Sequence, residues 1–195
     1  MEGIVQLDRQ FTLWVNQSGP EFLDPFWRFL SQTTVWFPLY VLVAGFIFWR
    51  LGWKKGLVML LTLIAAVVVT DQLSVLVKNA VMRLRPCHDS WMIAHGVRCP
   101  DGNEMGLYGF ISSHASNVFG FAACTWAGLR LNDPRERNYT LYGCGILLWA
   151  GVVSLSRTML AAHFLGDILT GALFGLLAGF LLALGARRII IKAKL

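Results

Sequence analysis

The chain has 195 residues, 56% of them hydrophobic and 14% charged, with a formal net charge of +6 and a mean hydropathy of +0.57. Average soluble chains carry about 25% charged residues, so the composition excludes an ordinary soluble domain and fits one membrane-embedded domain over 1–195. The basic excess does not call for a nucleic-acid partner, because Lys and Arg fall between apolar runs, as they do in membrane loops.

Residues 1–32 mix Leu7, Phe11 and Trp14 with Asp8, Arg9 and Asn16, then Phe22, Phe26 and Trp27 with Glu21, Asp24 and Arg28. Neither stretch makes a good spanning helix. Both fit amphipathic helices lying in the interface, with a turn at Ser18-Gly19-Pro20. The acidic start and Asp8-Arg9 depart from a cleavable leader.

Residues 33–195 carry apolar runs at 34–49, 56–77, 108–129, 139–155 and 163–186. A crossing needs about 20 residues, so these predict an all-α integral membrane bundle of five spans, or six if residues 1–32 hold another. Arg50, Lys54 and Lys55, then Arg130, Arg135 and Arg137, then Arg187, Arg188, Lys192 and Lys194 fall on one side of a five-span arrangement. The positive-inside rule makes that side cytoplasmic and puts the 83–105 loop and the Arg157 region outside. Gly171, Gly175 and Gly179 repeat every four residues. Such a face permits close helix approach, within the bundle in preference to a dimer, so a monomer is expected, with a homodimer as the alternative.

Four cysteines are present. Cys124 and Cys144 lie in apolar runs and read as small buried hydrophobes. Cys87 and Cys99 flank the outer loop, either as a disulfide, if the compartment is oxidising, or as two free thiols. His88 and His95 in that loop lie near Asp89, Asp101 and Glu104, but scattered loop histidines fit solvation or substrate contact better than a metal site.

Chemistry concentrates in three clusters at 78–86, 111–114 and 156–167, each at the end of an apolar run. Charges at such depth are rare and usually functional. Lys78 and Arg85 are seven residues apart, which on a continuous helix puts them on one face, with Asp71 seven residues further back. Asp71 either forms a structural ion pair with Lys78 or orients Lys78 or Arg157. Pro86 is expected to end that helix and leave the Arg85 fork at its mouth, with Arg83 pointing elsewhere, toward lipid headgroups. Ser112-Ser113-His114 opens a run either as an ordinary helix cap or as an anion cradle, with Asn117 on the same face. His163 and Asp167 are i, i+4, so a carboxylate can fix one ring nitrogen and leave the other nucleophilic. Arg157 is expected in the turn before them. Together the clusters point to a membrane enzyme acting on phosphate esters or anhydrides. A serine hydrolase built on Ser112 or Ser116 leaves the three cations unexplained. An anion transporter predicts polar residues along a through-path, whereas these clusters all lie at one end.

The chain resembles the type 2 phosphatidic acid phosphatase superfamily, which includes vanadium haloperoxidases and bacterial acid phosphatases. The motif Lys-x6-Arg-Pro is complete at Lys78, Arg85 and Pro86, and Ser-Arg-x5-His-x3-Asp at Ser156, Arg157, His163 and Asp167. The middle motif, Pro-Ser-Gly-His, reads Ile111-Ser112-Ser113-His114 and so departs at two positions. The resemblance implies His163 as the phosphoryl-accepting nucleophile, oriented by Asp167. It implies His114 as proton donor and then base, and Lys78, Arg85, Arg157, Ser112 and Ser113 as the phosphate-binding groups. It implies no cofactor or divalent metal, and a lipid phosphate or diphosphate as substrate: polyprenyl diphosphate (undecaprenyl diphosphate, for example), phosphatidic acid, phosphatidylglycerol phosphate or phosphorylated lipid A. A phosphotransferase passing the group to an acceptor lipid is the alternative. Similarity to small bacterial members implies the inner membrane, with the site facing the periplasm or exterior.

Overall fold

The computed structural model describes residues 2–102 and 106–195. Among them, seven α-helices follow one another: α1 (Glu2–Ser18), α2 (Asp24–Ser31), α3 (Phe37–Val81), α4 (Ser90–Ala94), α5 (Ser113–Asn132), α6 (Thr140–Met159) and α7 (Leu165–Lys192). Glu104 and the end of the 83–105 loop lie outside the described residues.

A straight helix of α3's 45 residues would run about 68 Å, more than twice the ~30 Å apolar core of a bilayer. α3 instead breaks at Gly52, whose φ of 76° belongs to the left-handed region that glycine enters freely. The chain doubles back there. A Cβ on Gly56 would lie 2.6 Å from the Phe48 ring, and Val43, Ile47 and Leu51 share one core cluster with Met59, Leu63 and Ala66. α3 is therefore two legs, 37–51 and 53–81. With α5, α6 and α7 they form a helical bundle.

Among the described residues, three helical segments are long and apolar enough to cross a membrane, at Thr33–Val81, Thr140–Met159 and Leu165–Lys192. The outward stripe Leu169, Leu173, Leu177 and Leu181 on α7 is exposed, as a lipid-facing surface must be. α5 is less apolar for a physical reason: it lies in the middle of the bundle, against α3, α6 and α7. Its buried Ser116, Gly120, Ala123, Thr125 and Gly128 meet protein, not hydrocarbon. Small residues set the spacing. Cβ atoms on Gly171, Gly175 and Gly179 would lie 2.7, 2.3 and 2.2 Å from the carbonyl oxygens of Ser112, Ser116 and Gly120. The glycine face of α7 is thus covered by α5.

At one end of the bundle, Arg50 donates to Tyr139 Oη (2.9 Å) and to Asp133 (2.7 Å). This pair is nearly solvent-free, with side chains 4% and 1% exposed. Burial pushes the Asp133 carboxyl up, but donation from Tyr139, the Arg135 N–H and Arg50 outweighs it and holds the pKa at about 2. Lys55, Arg130, Arg137, Arg187 and Lys194 line two clefts around this triad, so the basic segments do share one end.

Several expectations are corrected. α3 ends at Val81, with Met82 left-handed at φ 50°, so Lys78 and Arg85 do not ride one continuous helix. Arg85 is extended (φ −74°, ψ 160°), and Leu84 forms an isolated antiparallel bridge with Tyr108. The third apolar run becomes helical only at Ser113. Arg157 belongs to the last turn of α6. Cys144 is exposed, while Cys124 is buried. Of the two expected alternatives for Cys87 and Cys99, the disulfide is the one found. α1 is amphipathic, with Ile4, Leu7, Phe11 and Trp14 exposed, yet its Thr12 and Asn16 are completely buried against protein.

Candidate active site

Opposite the Arg50 end, the three sequence clusters meet around one cavity of about 680 Å³. Lys78, Arg85, Arg157, Ser113, His114 and His163 line its polar end. Its other walls are apolar, including Tyr40 and Ala44 from the first leg of α3, Leu60 and Ile64 from the second, and Phe121 from α5.

His163 sits in the turn between α6 and α7. Residues 159–164 are all buried, which is unusual for a connection. Buried backbone must find partners. Asn16 donates to Met159 O (2.9 Å) and Arg85 Nη1 to Ala162 O (3.0 Å). Arg85 Nε donates to Tyr108 O (3.1 Å), so two backbone oxygens aim the guanidinium into the cavity. Arg157 donates to Ser31 Oγ.

Asp167 reaches back from the first turn of α7. Its Oδ2 accepts the Phe164 N–H (3.1 Å) and lies 3.7 Å from His163 Nδ1, longer than a hydrogen bond. Such contacts often tighten only when substrate binds. Nδ1 therefore faces the carboxylate and the Gly109 main chain, which leaves Nε2 as the nitrogen free for chemistry. Burial, then the charges of Arg85, Arg157 and Lys78, push the His163 pKa well below its ordinary value, so the ring is neutral near pH 7.

Ser112 and Ser113 differ in use. Ser112 is fully buried and caps α5, with its Oγ accepting the Ala115 N–H (3.3 Å) and its N–H donating to Asp167 O (3.1 Å). It ties α5 to α7 and is not part of the cavity wall. Ser113 Oγ faces the cavity, 3.2 Å from Lys78 Nζ and 2.7 Å from Ser74 Oγ. Asp71 meets neither expected partner. It accepts from Asn117 Nδ2 (3.2 Å), and Thr70 donates to Asn117 Oδ1 (2.7 Å), so these three form a polar floor beside the cationic end.

Among the described residues, no group of three or more His, Cys, Asp or Glu converges as a metal site. His95 stacks on Trp91 at 3.8 Å in the outer loop.

Three site residues escaped the sequence reading. Gly109 lies where a Cβ would come 2.9 Å from Asp167 Oδ2 and 3.5 Å from His163 Nδ1, so no larger residue fits there. Ser74 positions Ser113. Arg83 does not point to headgroups: it bonds Asp167 Oδ1 (2.7 Å) and Asp8 Oδ2 (2.6 Å). Gly109 had a faint signal, one glycine just before a cap. Arg83 had none, because its partners lie 75 and 84 residues away.

Comparison with known proteins bears on this geometry. The profile of the PAP2 superfamily matches residues 55–190. The lipid A 4′-phosphatase of Bacteroides thetaiotaomicron is 29% identical over 185 residues, covering 93% of this chain and 77% of that protein. That of Porphyromonas gingivalis is 28% identical over 180 residues, covering 92% and 72%. The crystal structure of a transmembrane PAP2 type phosphatidylglycerolphosphate phosphatase from Bacillus subtilis has the same fold. It superposes with a TM-score of 0.63 at 19% identity, covering 97% of this chain and 89% of the other.

Proposed function

The chain belongs to the PAP2 superfamily, and on that premise we propose that this membrane phosphatase hydrolyses a phosphate monoester carried by a bilayer lipid, with the 4′-phosphate of lipid A the first substrate to test. One observation carries the lipid reading: the cavity has cations and imidazoles at one end and apolar walls from both legs of α3 and α5 at the other. A hydrocarbon tail fits the second while a phosphate occupies the first. Two relatives named for lipid A, aligned over most of this chain, favour that headgroup.

In the proposed mechanism, His163 Nε2 attacks phosphorus in line. A P–N bond forms, the P–O bond to the lipid breaks, and His114, which takes up a proton against the bound phosphate dianion, gives that proton to the departing oxygen. His114, now neutral, takes a proton from water, whose oxygen displaces His163 and releases inorganic phosphate. Lys78, Arg85, Arg157 and Ser113 stabilise the equatorial oxygens as charge develops. Ser112 serves through its cap on α5, and Asp71 with Asn117 supports the floor. The gathering of Lys55, Arg130, Arg137, Arg187 and Lys194 at the far end supports a site facing the periplasm or exterior.

The test is phosphate release by purified protein in mixed micelles from lipid A, phosphatidic acid, phosphatidylglycerol phosphate and undecaprenyl diphosphate, with p-nitrophenyl phosphate as the soluble comparison. The expected result is the highest kcat/KM on lipid A and poor turnover of the soluble ester. Equal kcat/KM on the soluble ester would remove the lipid groove from the account. Release only when an acceptor lipid is present would make the chain a phosphotransferase.

A further inference from the structure

Within its own first turn α7 is capped only by Asp167, whose carboxylate reaches back to the Phe164 N–H (3.1 Å). Its N-cap residue is Phe164, whose side chain has no acceptor for the free N–H groups of the first turn. α1 supplies the acceptors from far along the chain. Thr12 Oγ1 accepts the Leu165 N–H (3.0 Å) and Asp8 Oδ1 the Gly166 N–H (2.8 Å). The approach of Asp8 depends on a glycine, since a Cβ at 166 would lie 2.7 Å from Asp8 Oδ2.

Asp8 does a second thing. Its Oδ2 takes Arg83 Nη2 at 2.6 Å, and the other arm of the same guanidinium, Nη1, takes Asp167 Oδ1 at 2.7 Å. The Arg83 guanidinium also lies 4.1 Å from the Phe164 ring centre. A fork held by two carboxylates and an aromatic face has little rotational freedom left. The Asp167 side chain is completely buried, and a buried carboxylate needs a cation. With Arg83 in that role from outside, Lys78, Arg85 and Arg157 keep their charge for the cavity.

We propose that Asp8 and Arg83 are positioning residues of the hydrolytic reaction: the chain Asp8–Arg83–Asp167 fixes the Asp167 carboxylate so that its Oδ2 holds His163, which makes α1 a working part of the active site. The proposal rests on His163 being the nucleophile, and its test separates the two claims.

Full-length variants are assayed for phosphate release from lipid A and from phosphatidic acid in mixed micelles, with thermal unfolding followed in the same detergent. Asp8→Asn keeps the acceptor for Gly166 but loses the charge, and Arg83→Gln removes the bridge. Each should lower kcat about 10- to 100-fold with KM within about threefold, as expected when a reacting group is misplaced by under an ångström. The double variant should be no worse than the worse single one, since both break one chain. Arg83→Lys should recover part of kcat, because a point charge makes one of the two contacts. Thr12→Val removes only the docking bond to Leu165, so it should lower the unfolding temperature and leave kcat within twofold. Gly166→Ala displaces Asp8 without altering any charge and should reproduce the Asp8→Asn kinetics, which serves if Asp8→Asn folds poorly. His163→Ala, run alongside, should be inactive. Near-wild-type kcat in Asp8→Asn, Arg83→Gln and Gly166→Ala, with His163→Ala inactive, would overturn the positioning role. A change in KM or unfolding temperature alone would overturn it equally. Turnover by His163→Ala would instead sink the nucleophile assignment beneath it.

Discussion

The seam between α5 and α7 sets the distance between the two halves of the proposed catalytic cluster, because His114 rides on α5 and Asp167 on α7. Gly175→Ala tests this without touching a reacting group. Gly175 is eight residues from Asp167, about 12 Å along the helix at 1.5 Å per residue. A methyl there would sit 2.3 Å from Ser116 O and 2.9 Å from Gly120 N, both backbone atoms of α5, while ordinary contact begins at 3.4 Å. Neither atom can rotate away, so the helices must part by about 1 Å. Overpacking of this kind destabilises by about 1–3 kcal/mol. The same 1 Å at the reacting atoms is worth about 10²-fold in rate, or about 2.7 kcal/mol of activation free energy. The expected outcome is a lower unfolding temperature together with kcat down by one to two orders of magnitude on the same lipid substrate. Gly185→Ala is the matched control. A Cβ there meets nothing within 4 Å, so kcat should hold and stability should rise by about 0.5–1 kcal/mol from better helix propensity. If Gly175→Ala unfolds and turns over like the parent protein, the seam does not set the site's geometry.

Three further outcomes are expected. Asp133→Asn leaves Arg50 buried without its counter-charge and should lower stability by about 3–5 kcal/mol in denaturation assays, with kcat of the folded fraction unchanged. In the parent protein the Asp133 carboxyl is depressed from 3.8 to about 2. Its contribution is therefore complete above pH 3.8 and lost as pH falls toward 2, a dependence Asp133→Asn should lack. The His163 pKa is also depressed, but the group is a base, so the unfolded chain binds the proton first as pH falls below 6.5. Stability should decline from about pH 6.5 downward, less steeply in His163→Gln, and the acid limb of kcat/KM should lie below 6.5; a limb at 6.5 or above would contradict the buried neutral ring. EDTA should leave phosphate release unchanged and orthovanadate should inhibit it. Strong loss in EDTA would mean that a metal ion, not side chains alone, holds the phosphate.

The sequence made the chemistry legible because charged residues at the ends of apolar runs are scarce. Lys78, Arg85, His114, Arg157, His163 and Asp167 stood out one by one, and all six lie together in the structure. The doubling back of the chain within 34–77 was also readable, since Arg50, Lys54 and Lys55 interrupt the apolar pattern where Gly52 reverses the backbone. What stayed hidden was decided by tertiary contact. The polar face of α1 looks like a water-facing stripe, yet Thr12 and Asn16 are buried against the α6–α7 turn. A helical period shows that a polar face exists but not what covers it. Arg83 read as a lipid-headgroup contact because nothing nearby in sequence pairs with it. The end of α3 was misplaced because Pro86 is a local stop signal, whereas the left-handed Met82 closes the helix four residues earlier. Ser112 and Ser113 looked equivalent in the motif, and only the packing of α5 on α7 separates the cap from the cavity-facing hydroxyl.

The central claim is that one phosphoryl group passes through His163. Rapid quenching of a single turnover with radiolabelled lipid phosphate, followed by peptide mapping, tests it most directly. The account predicts acid-labile label on the peptide containing His163 and none in His163→Ala. Label on Ser112, Ser113 or Ser116, or full turnover by His163→Ala, would contradict it.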